Sequence, residues 1–348
     1  MLSTTALWIL LTSCLAMAVA TWVATGAVLR LLLRLEIYDR PNERSGHSLP
    51  KPRGGGLAVV PLVLLSWALA AIWLEPGSDS HWAGRWIALW GALAGSLLVA
   101  VVSWRDDLGH LPAGLRLLAQ AVAVAIGLAS FGDATAVFQG WLPAWLAYPV
   151  AALGWLWFVN LFNFMDGIDG ITGVESLAIG LGIVLVALLA SYTPALLVLP
   201  ALLAAAMAGF LPWNWSPSKL FLGDVGSVTL GFLLGWLLLR LAAEGAWAAA
   251  LILPAYYLAD ASLTLAWRVL RGTRFWEAHR EHFYQRADKA GLGHGSIATA
   301  VGLCNLGLIA LAAASIHDAH LALVLAAILV LAFLAFLARQ GARRSSRT

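Results

Sequence analysis

Asn160, Asn163, Asp166 and Asp169 recur at every third position in the stretch Asn160-Leu161-Phe162-Asn163-Phe164-Met165-Asp166-Gly167-Ile168-Asp169-Gly170-Ile171. Residues three apart are neighbours on a helix, so the spacing predicts one polar stripe closing an apolar run. The stripe drifts around an ideal helix, and Gly167 and Gly170 let the backbone tighten or break there. A capped helix end with a solvated acid would account for one such aspartate. Two carboxylates beside helices of bilayer length are costly unless they bind something, so the stretch is read as a site.

Two further motifs carry acids. Asp106-Asp107 lies between Arg105 and Leu108-Gly109, at the end of an apolar run containing Trp104. Adjacent helical residues point about 100° apart, so one can be a metal ligand and the other a general base. An ordinary acidic loop explains the pair equally well. Phe221-Leu222-Gly223-Asp224-Val225-Gly226-Ser227 opens another apolar run. Asp224 or Ser227 could be a plain N-cap, yet a glycine-flanked Asp at a helix start also aims amides and the positive dipole end at an anion.

Bases gather in two other segments. The first runs from Asp39 through Arg44, His47 and Arg53 to Gly54-Gly55-Gly56, where a glycine backbone beside cations can approach phosphate. A flexible basic loop would explain the arginines but not three glycines opening a span. The second, 268–296, carries His279, Arg280 and His282. With basic neighbours and no nearby carboxylate pair, these are assigned to anion or nucleotide contacts rather than to a metal. His294, His317 and His320 are read as bystanders.

The elements that must position these residues are membrane spans. The chain is 61% hydrophobic and 11% charged, with a mean hydropathy of +0.84, far from the balance of a soluble domain. Apolar runs predict an all-α polytopic protein with eleven spans at roughly 5–29, 56–74, 84–104, 114–131, 142–158, 171–190, 194–211, 226–241, 246–264, 297–315 and 319–338. Leu11-Thr12-Ser13-Cys14 resembles a lipoprotein cleavage box, but no base precedes the apolar run and the run continues past Cys14, so it reads as an uncleaved first span. Cys14 and Cys304 lie in apolar runs and suggest neither a disulfide nor a metal site. Residues 1–338 are expected to form one polytopic catalytic unit, and 339–348 a basic tail against anionic lipid.

Of the 21 Lys and Arg residues, only Arg85 and Arg240 fall in one set of loops, and the other nineteen fall in the opposite set or the tail. The positive-inside bias therefore predicts an outer N-terminus and a cytoplasmic C-terminus. All the motifs then share the cytoplasmic edge, where five carboxylates converge. Such convergence calls for a multivalent cation, a cationic substrate or a metal-bound phosphate. Hard oxygen ligands point to Mg²⁺, with Mn²⁺ as the alternative.

Together the Asp106-Asp107 pair, the Asn160-to-Ile171 stretch, Phe221 to Ser227, and first-loop residues Arg44, His47, Pro52 and Gly54 to Gly56, with Gln120, resemble the polyprenyl-phosphate N-acetylhexosamine-1-phosphate transferases. That membrane family includes the phospho-N-acetylmuramoyl-pentapeptide transferases. The resemblance covers nearly the whole chain. It implies transfer of a sugar-1-phosphate from a UDP-N-acetylated sugar to undecaprenyl phosphate at the inner face of the bacterial cytoplasmic membrane, releasing UMP, with Mg²⁺ on the diphosphate. It further implies Asp107 and Asp224 as metal ligands and Asp106, Asp107, Asp166, Asp169, Asp224 and His282 as catalytic residues. Arg44, His47, Arg53, Gly55, Arg116, Asn160, Asn163, His279 and Arg280 would bind substrate.

Two departures refine the expectation. Arg116 stands where much of the family has Lys, which alters donor geometry toward a lipid phosphate. The family's D-R-x-H-x-H-H run reads here His279-Arg280-Glu281-His282-Phe283-Tyr284-Gln285. The variant turns the expectation from the muramoyl-pentapeptide toward enzymes that start O-antigen-type chains, some of which use 6-deoxy-N-acetylhexosamines. An ion-coupled transporter or flippase is the competing class, for which Asp260 is the interior acid; a non-catalytic scaffold is a third. No nucleic-acid partner is indicated, and a homodimer is left open.

Overall fold

A computed structural model of the 348-residue chain describes residues 3–39, 50–73, 83–109, 111–273 and 279–345. Arg44 and His47, expected at phosphate, lie outside the described residues. The chain is built from helices α1 (Thr4–Arg34), α2 (Gly56–Trp73), α3 (Ala83–Gly109), α4 (Ala113–Phe131), α5 (Ala144–Phe164), α6 (Ile171–Leu189), α7 (Ala195–Asn214), α8 (Asp224–Ala243), α9 (Trp247–Ile252), α10 (Ala255–Leu270), α11 (Phe283–Lys289), α12 (His294–Ala314) and α13 (Ala319–Ser345). Two short strands, β1 (Tyr38–Asp39) and β2 (Lys51–Pro52), pair antiparallel between α1 and α2.

Among the described residues, nine helices are long and apolar enough to cross a membrane: α1, α3 to α8, α12 and α13. The shorter apolar α2 accompanies them. The protein is thus an all-α multi-pass membrane protein. The expected span at 246–264 is not one helix. It breaks at Leu253-Pro254 into α9 and α10, because a proline has no amide to donate and its ring crowds the preceding turn.

Helix α8 lies at the centre, with 89% of its most apolar window buried. It is flanked by α3, α5 and α2. Small residues set the distances: a Cβ on Gly231 would press on Val159 and Phe162 of α5, and one on Gly235 on Trp155. Trp155 donates its indole N–H to the Phe232 carbonyl at 2.9 Å and stacks on the Phe232 ring at 4.6 Å, so its polar atom is satisfied in an apolar setting.

The loops carrying the motifs meet at one end. The Gly54 and Gly55 amides donate to the Phe221 carbonyl at 3.1 and 2.8 Å, and the Gly56 amide to Leu222 at 2.8 Å. Phe221 in turn donates to Pro52 at 2.9 Å. A Cβ on Gly56 would strike the Gly226 backbone. The glycine run therefore lets the start of α2 lie against the start of α8. Its amides, expected to cradle phosphate, are engaged by protein carbonyls, and Gly55 is a packing residue here. The polar stripe also divides. Asn160 and Asn163 are on α5, which ends at Phe164, while Asp166 and Asp169 sit in the turn before α6, closed by Gly170 at φ 81°.

Candidate active site

Asp107, near the C-terminal end of α3, caps a helix 117 residues away. Its Oδ1 accepts the Asp224 amide at 3.0 Å and its Oδ2 accepts the Val225 amide at 2.9 Å. These are two of the four amides that the start of α8 leaves without helical partners. Gly223, at φ 77°, supplies the left-handed turn that aims them. Arg53 donates from Nε to Asp107 Oδ1 at 2.9 Å and from a terminal nitrogen to Asp224. Burial works against the Arg53 charge, but the neighbouring Asp224 and Asp107 carboxylates outweigh it and hold the guanidinium firmly protonated.

Asp106 faces the other way. Its Oδ1 accepts the Leu111 amide at 2.6 Å and its Oδ2 accepts from Arg116 at 2.8 Å. Arg116 also reaches Asp224 Oδ2 at 3.8 Å. The side chains of Asp106 and Asp224 are 9% and 13% exposed, against 1% for Asp107. Asp106 and Asp224 are thus the acids open to a ligand, with their carboxyls within hydrogen-bonding reach of each other. Among the described residues, no three His, Cys, Asp or Glu side chains are arranged as a ready metal cage. Arg53 and Arg116 stand between the carboxylates.

Asp106, Arg116, Asn160, Asn163 and Asp224 line a cavity of about 420 Å³ between α3, α4, α5, α8 and α10. The same lining includes the apolar Leu117, Leu153, Leu156 and Trp157. Asn160 donates to Gln120 at 2.8 Å, and Asn163 accepts from Ser227 at 2.9 Å. This one cavity wall therefore unites parts of three sequence motifs.

Asp166 and Asp169 have different surroundings. Burial pushes the Asp166 carboxyl up to about 7, against a hydrogen bond from Thr172. Burial also disfavours charge on Asp169, yet donors from His294 and Ser218 hold that carboxyl well below the usual range. The Ser218 hydroxyl and amide donate to Asp169 at 2.7 and 3.1 Å, Lys51 lies 3.4 Å from both oxygens, and His294 Nδ1 is 3.3 Å from Oδ2. Its lone pairs are occupied, so Asp169 ties together the first loop, the turn before α6, the segment before α8 and α12. Read as a bystander from sequence, His294 is a principal contact here, and its Nε2 reaches Asp288 of α11 at 3.3 Å.

The 268–296 segment forms a third cluster. His282 is 2% exposed, with Nδ1 3.3 Å from Asp260 Oδ1. Asp260 also accepts the Phe283 and Tyr284 amides at 3.0 and 3.3 Å and so caps α11 from α10. The Tyr284 hydroxyl donates to the Phe164 carbonyl at 3.1 Å, fixing α11 under the end of α5. Burial, then His282 and Arg268, lower His279 to about 4, so it is neutral at physiological pH. His279, Arg280 and His282 are not on the cavity wall. Asp260, the interior acid that suggested transport, is engaged as a cap. Lys51, Asn214, Ser218, Asp288 and His294 were not predicted as site residues, and no local spacing announces them. Asn214, for one, accepts the Gly170 amide at 3.0 Å from 44 residues away.

This acidic and basic cavity lies in a helical membrane bundle, and the comparisons with known proteins point to transferases. The family model for glycosyl transferase family 4 matches residues 89–242 of the chain. The chain is 27% identical over 282 residues to a protein of Bacillus subtilis (strain 168) described as a probable undecaprenyl-phosphate N-acetylglucosaminyl 1-phosphate transferase, covering 78% of this chain and 75% of that one. It is 30% identical over 251 residues to the decaprenyl-phosphate N-acetylglucosaminephosphotransferase of Mycolicibacterium smegmatis, covering 63% of this chain and 56% of the relative. Over 236 residues it is 29% identical to a phospho-N-acetylmuramoyl-pentapeptide-transferase of Synechococcus sp. (strain CC9311), covering 64% and 62%. The chain thus spans less than two thirds of the length of the last two.

Proposed function

We propose that the protein transfers an N-acetylhexosamine-1-phosphate from a UDP-sugar to undecaprenyl phosphate at the cytoplasmic face of the bacterial inner membrane, initiating an O-antigen or related envelope polysaccharide. The observation that carries this reading is the mixed lining of the cavity, where apolar side chains suited to a prenyl chain accompany Asp106, Arg116 and Asp224. A lipid phosphate oxygen forms a bond to the β-phosphorus of the donor. The bond from that phosphorus to the bridging oxygen breaks, and UMP leaves with the oxygen and its electron pair. Both reactants are anionic, and Arg116 and Arg53 offset their repulsion before and during attack.

The donor set suits Mg²⁺, which binds through one or two carboxylates and completes its shell with water and substrate phosphate rather than needing a full protein cage. Asp106 and Asp224 would hold it, and it would neutralise charge on the transferred phosphoryl group. Asp107, expected as a ligand, serves better as the cap that fixes Asp224, because it is shut away from the cavity that Asp106 and Asp224 line and its oxygens accept two α8 amides.

The test is UMP release by purified protein with undecaprenyl phosphate, Mg²⁺ and a panel of UDP-N-acetylhexosamines, 6-deoxy sugars included, with EDTA as control. Metal-dependent release with one donor supports the reading and names the sugar. Failure with every donor by folded protein that also does not bind UDP removes it.

A further inference from the structure

Glu175 is a carboxyl inside the bundle for which the cavity has no use. It sits in the second turn of α6, fully buried, and accepts one hydrogen bond, from Asn305 Nδ2 of α12 to its Oε2 at 2.7 Å. The two atoms left over are both oxygens. Glu175 Oε1 and Asn305 Oδ1 are buried without a hydrogen-bond partner among the described residues. An ionised carboxylate and an amide oxygen can only accept, so neither can satisfy the other. Turning the amide over does not help, since it would set two oxygens 2.7 Å apart with no hydrogen between them. Tyr256, Tyr257 and Cys304 feel the Glu175 carboxyl, and among the described residues no cation pairs with it. An unpaired ion in this setting is among the most costly groups a membrane protein can bury.

We propose that Glu175 carries a hydrogen on Oε1 and forms a neutral acid–amide pair with Asn305, as a positioning residue for the transfer site. The acid then donates to Asn305 Oδ1 while the amide donates to Oε2. Two hydrogen bonds join α6 to α12, and both leftover oxygens are satisfied. Thr172 lies one turn toward the site on the same face of α6. Its hydroxyl is 3.3 Å from that of Tyr257 and is near enough to the Asp166 carboxyl to favour its charged form. Tyr257 feels the charge of both Glu175 and Asp166. The neutral pair therefore fixes the start of α6, which holds Asp166 in place through Thr172.

The pair predicts an unusual tolerance. In Glu175→Gln an amide replaces the acid, and its N–H₂ donates to Asn305 Oδ1 just as the acid hydrogen did. An ionised glutamate, solvated by a trapped water, would not be mimicked this way.

The first arm of the test is infrared spectroscopy of the full-length protein in lipid nanodiscs at neutral pH, and it is independent of activity. Wild type should show a protonated-carboxyl carbonyl band that disappears in Glu175→Gln and shifts in Asn305→Leu. A carboxylate band in its place, removed by the same substitution, overturns the proposal. The second arm rests on the proposed transferase reading. Glu175→Gln should keep kcat and the donor KM within about twofold of wild type, as an exchange of equivalent hydrogen bonds should. Asn305→Leu should lower kcat about tenfold at unchanged donor KM, through a displaced Asp166. A tenfold loss in folded Glu175→Gln would overturn the positioning role. If wild type releases no UMP, the infrared result still decides the protonation, so the two readings fail separately.

Discussion

Asp106→Asn and Asp224→Asn keep side-chain shape and remove a charge that faces the cavity, whereas Asp107→Asn removes one that faces the amides of α8. Turnover should fall about a hundredfold to a thousandfold in the first two, as when a group that stabilises reacting charge is lost, with the thermal midpoint close to wild type. Asp107→Asn should also lose activity but unfold earlier, because a weakened cap costs about 1 kcal/mol. UMP-release rates and detergent melting curves on the same preparations separate the two outcomes. Asp166 and Asp169 give opposite pH responses. Burial raises the Asp166 carboxyl to about 7, so the folded state holds a proton that the unfolded chain releases near 4. Its contribution to stability is complete below about 4 and is lost as pH rises toward about 7. Asp169 is held low by its donors, so its contribution is present at neutral pH and fades only in acid. Melting at pH 5 and pH 8 should show Asp166→Asn losing part of the wild-type difference. A wild-type difference left unchanged would show that Asp166 is not the titrating group. The acids and asparagines were legible because their spacing is local. The partners that make Asp107 a cap and Asp169 a tether come from 49 to 125 residues away and leave no periodic mark.

At the scale of elements, the apolar runs located nearly every helix, because bilayer-length hydrophobic stretches have few other solutions in water or lipid. The ninth run was misread because hydropathy counts Pro254 as one residue in an apolar stretch, while the backbone counts it as a missing donor. The glycines were read for the closeness they permit, correctly, but toward the wrong neighbour. Gly54 to Gly56 approach the segment before α8 rather than a ligand. Gly223→Ala should be destabilising by about 1–2 kcal/mol, the cost of a Cβ in a left-handed turn, and it should also displace Asp224. Asp260→Ala should release α11 without disturbing the cavity wall. Hydrogen exchange at 283–289 should quicken while exchange in α8 stays unchanged. Equal protection of 283–289 in both proteins would show that Asp260 is not what holds this helix.

The whole molecule is asymmetric in charge, and this predicts its orientation. In a background lacking Cys14 and Cys304, Asp133→Cys should react with a membrane-impermeant thiol reagent added outside intact cells, whereas Gly272→Cys should react only after the membrane is opened. The reverse pattern would place the cavity on the outer face. The cross-chain cap also bears on how the protein is made. During synthesis the Asp107 carboxylate emerges 117 residues before the first amide it accepts. Until α8 enters the membrane, that carboxylate lacks both amides, and Arg53 has no Asp224 to pair with. The cavity cannot acquire its charges piecemeal: a nascent chain holding every residue through α7 still lacks an acid, the cap's recipient and the central helix. The lining of the cavity is therefore complete only once α8 and, after it, α10 have been inserted.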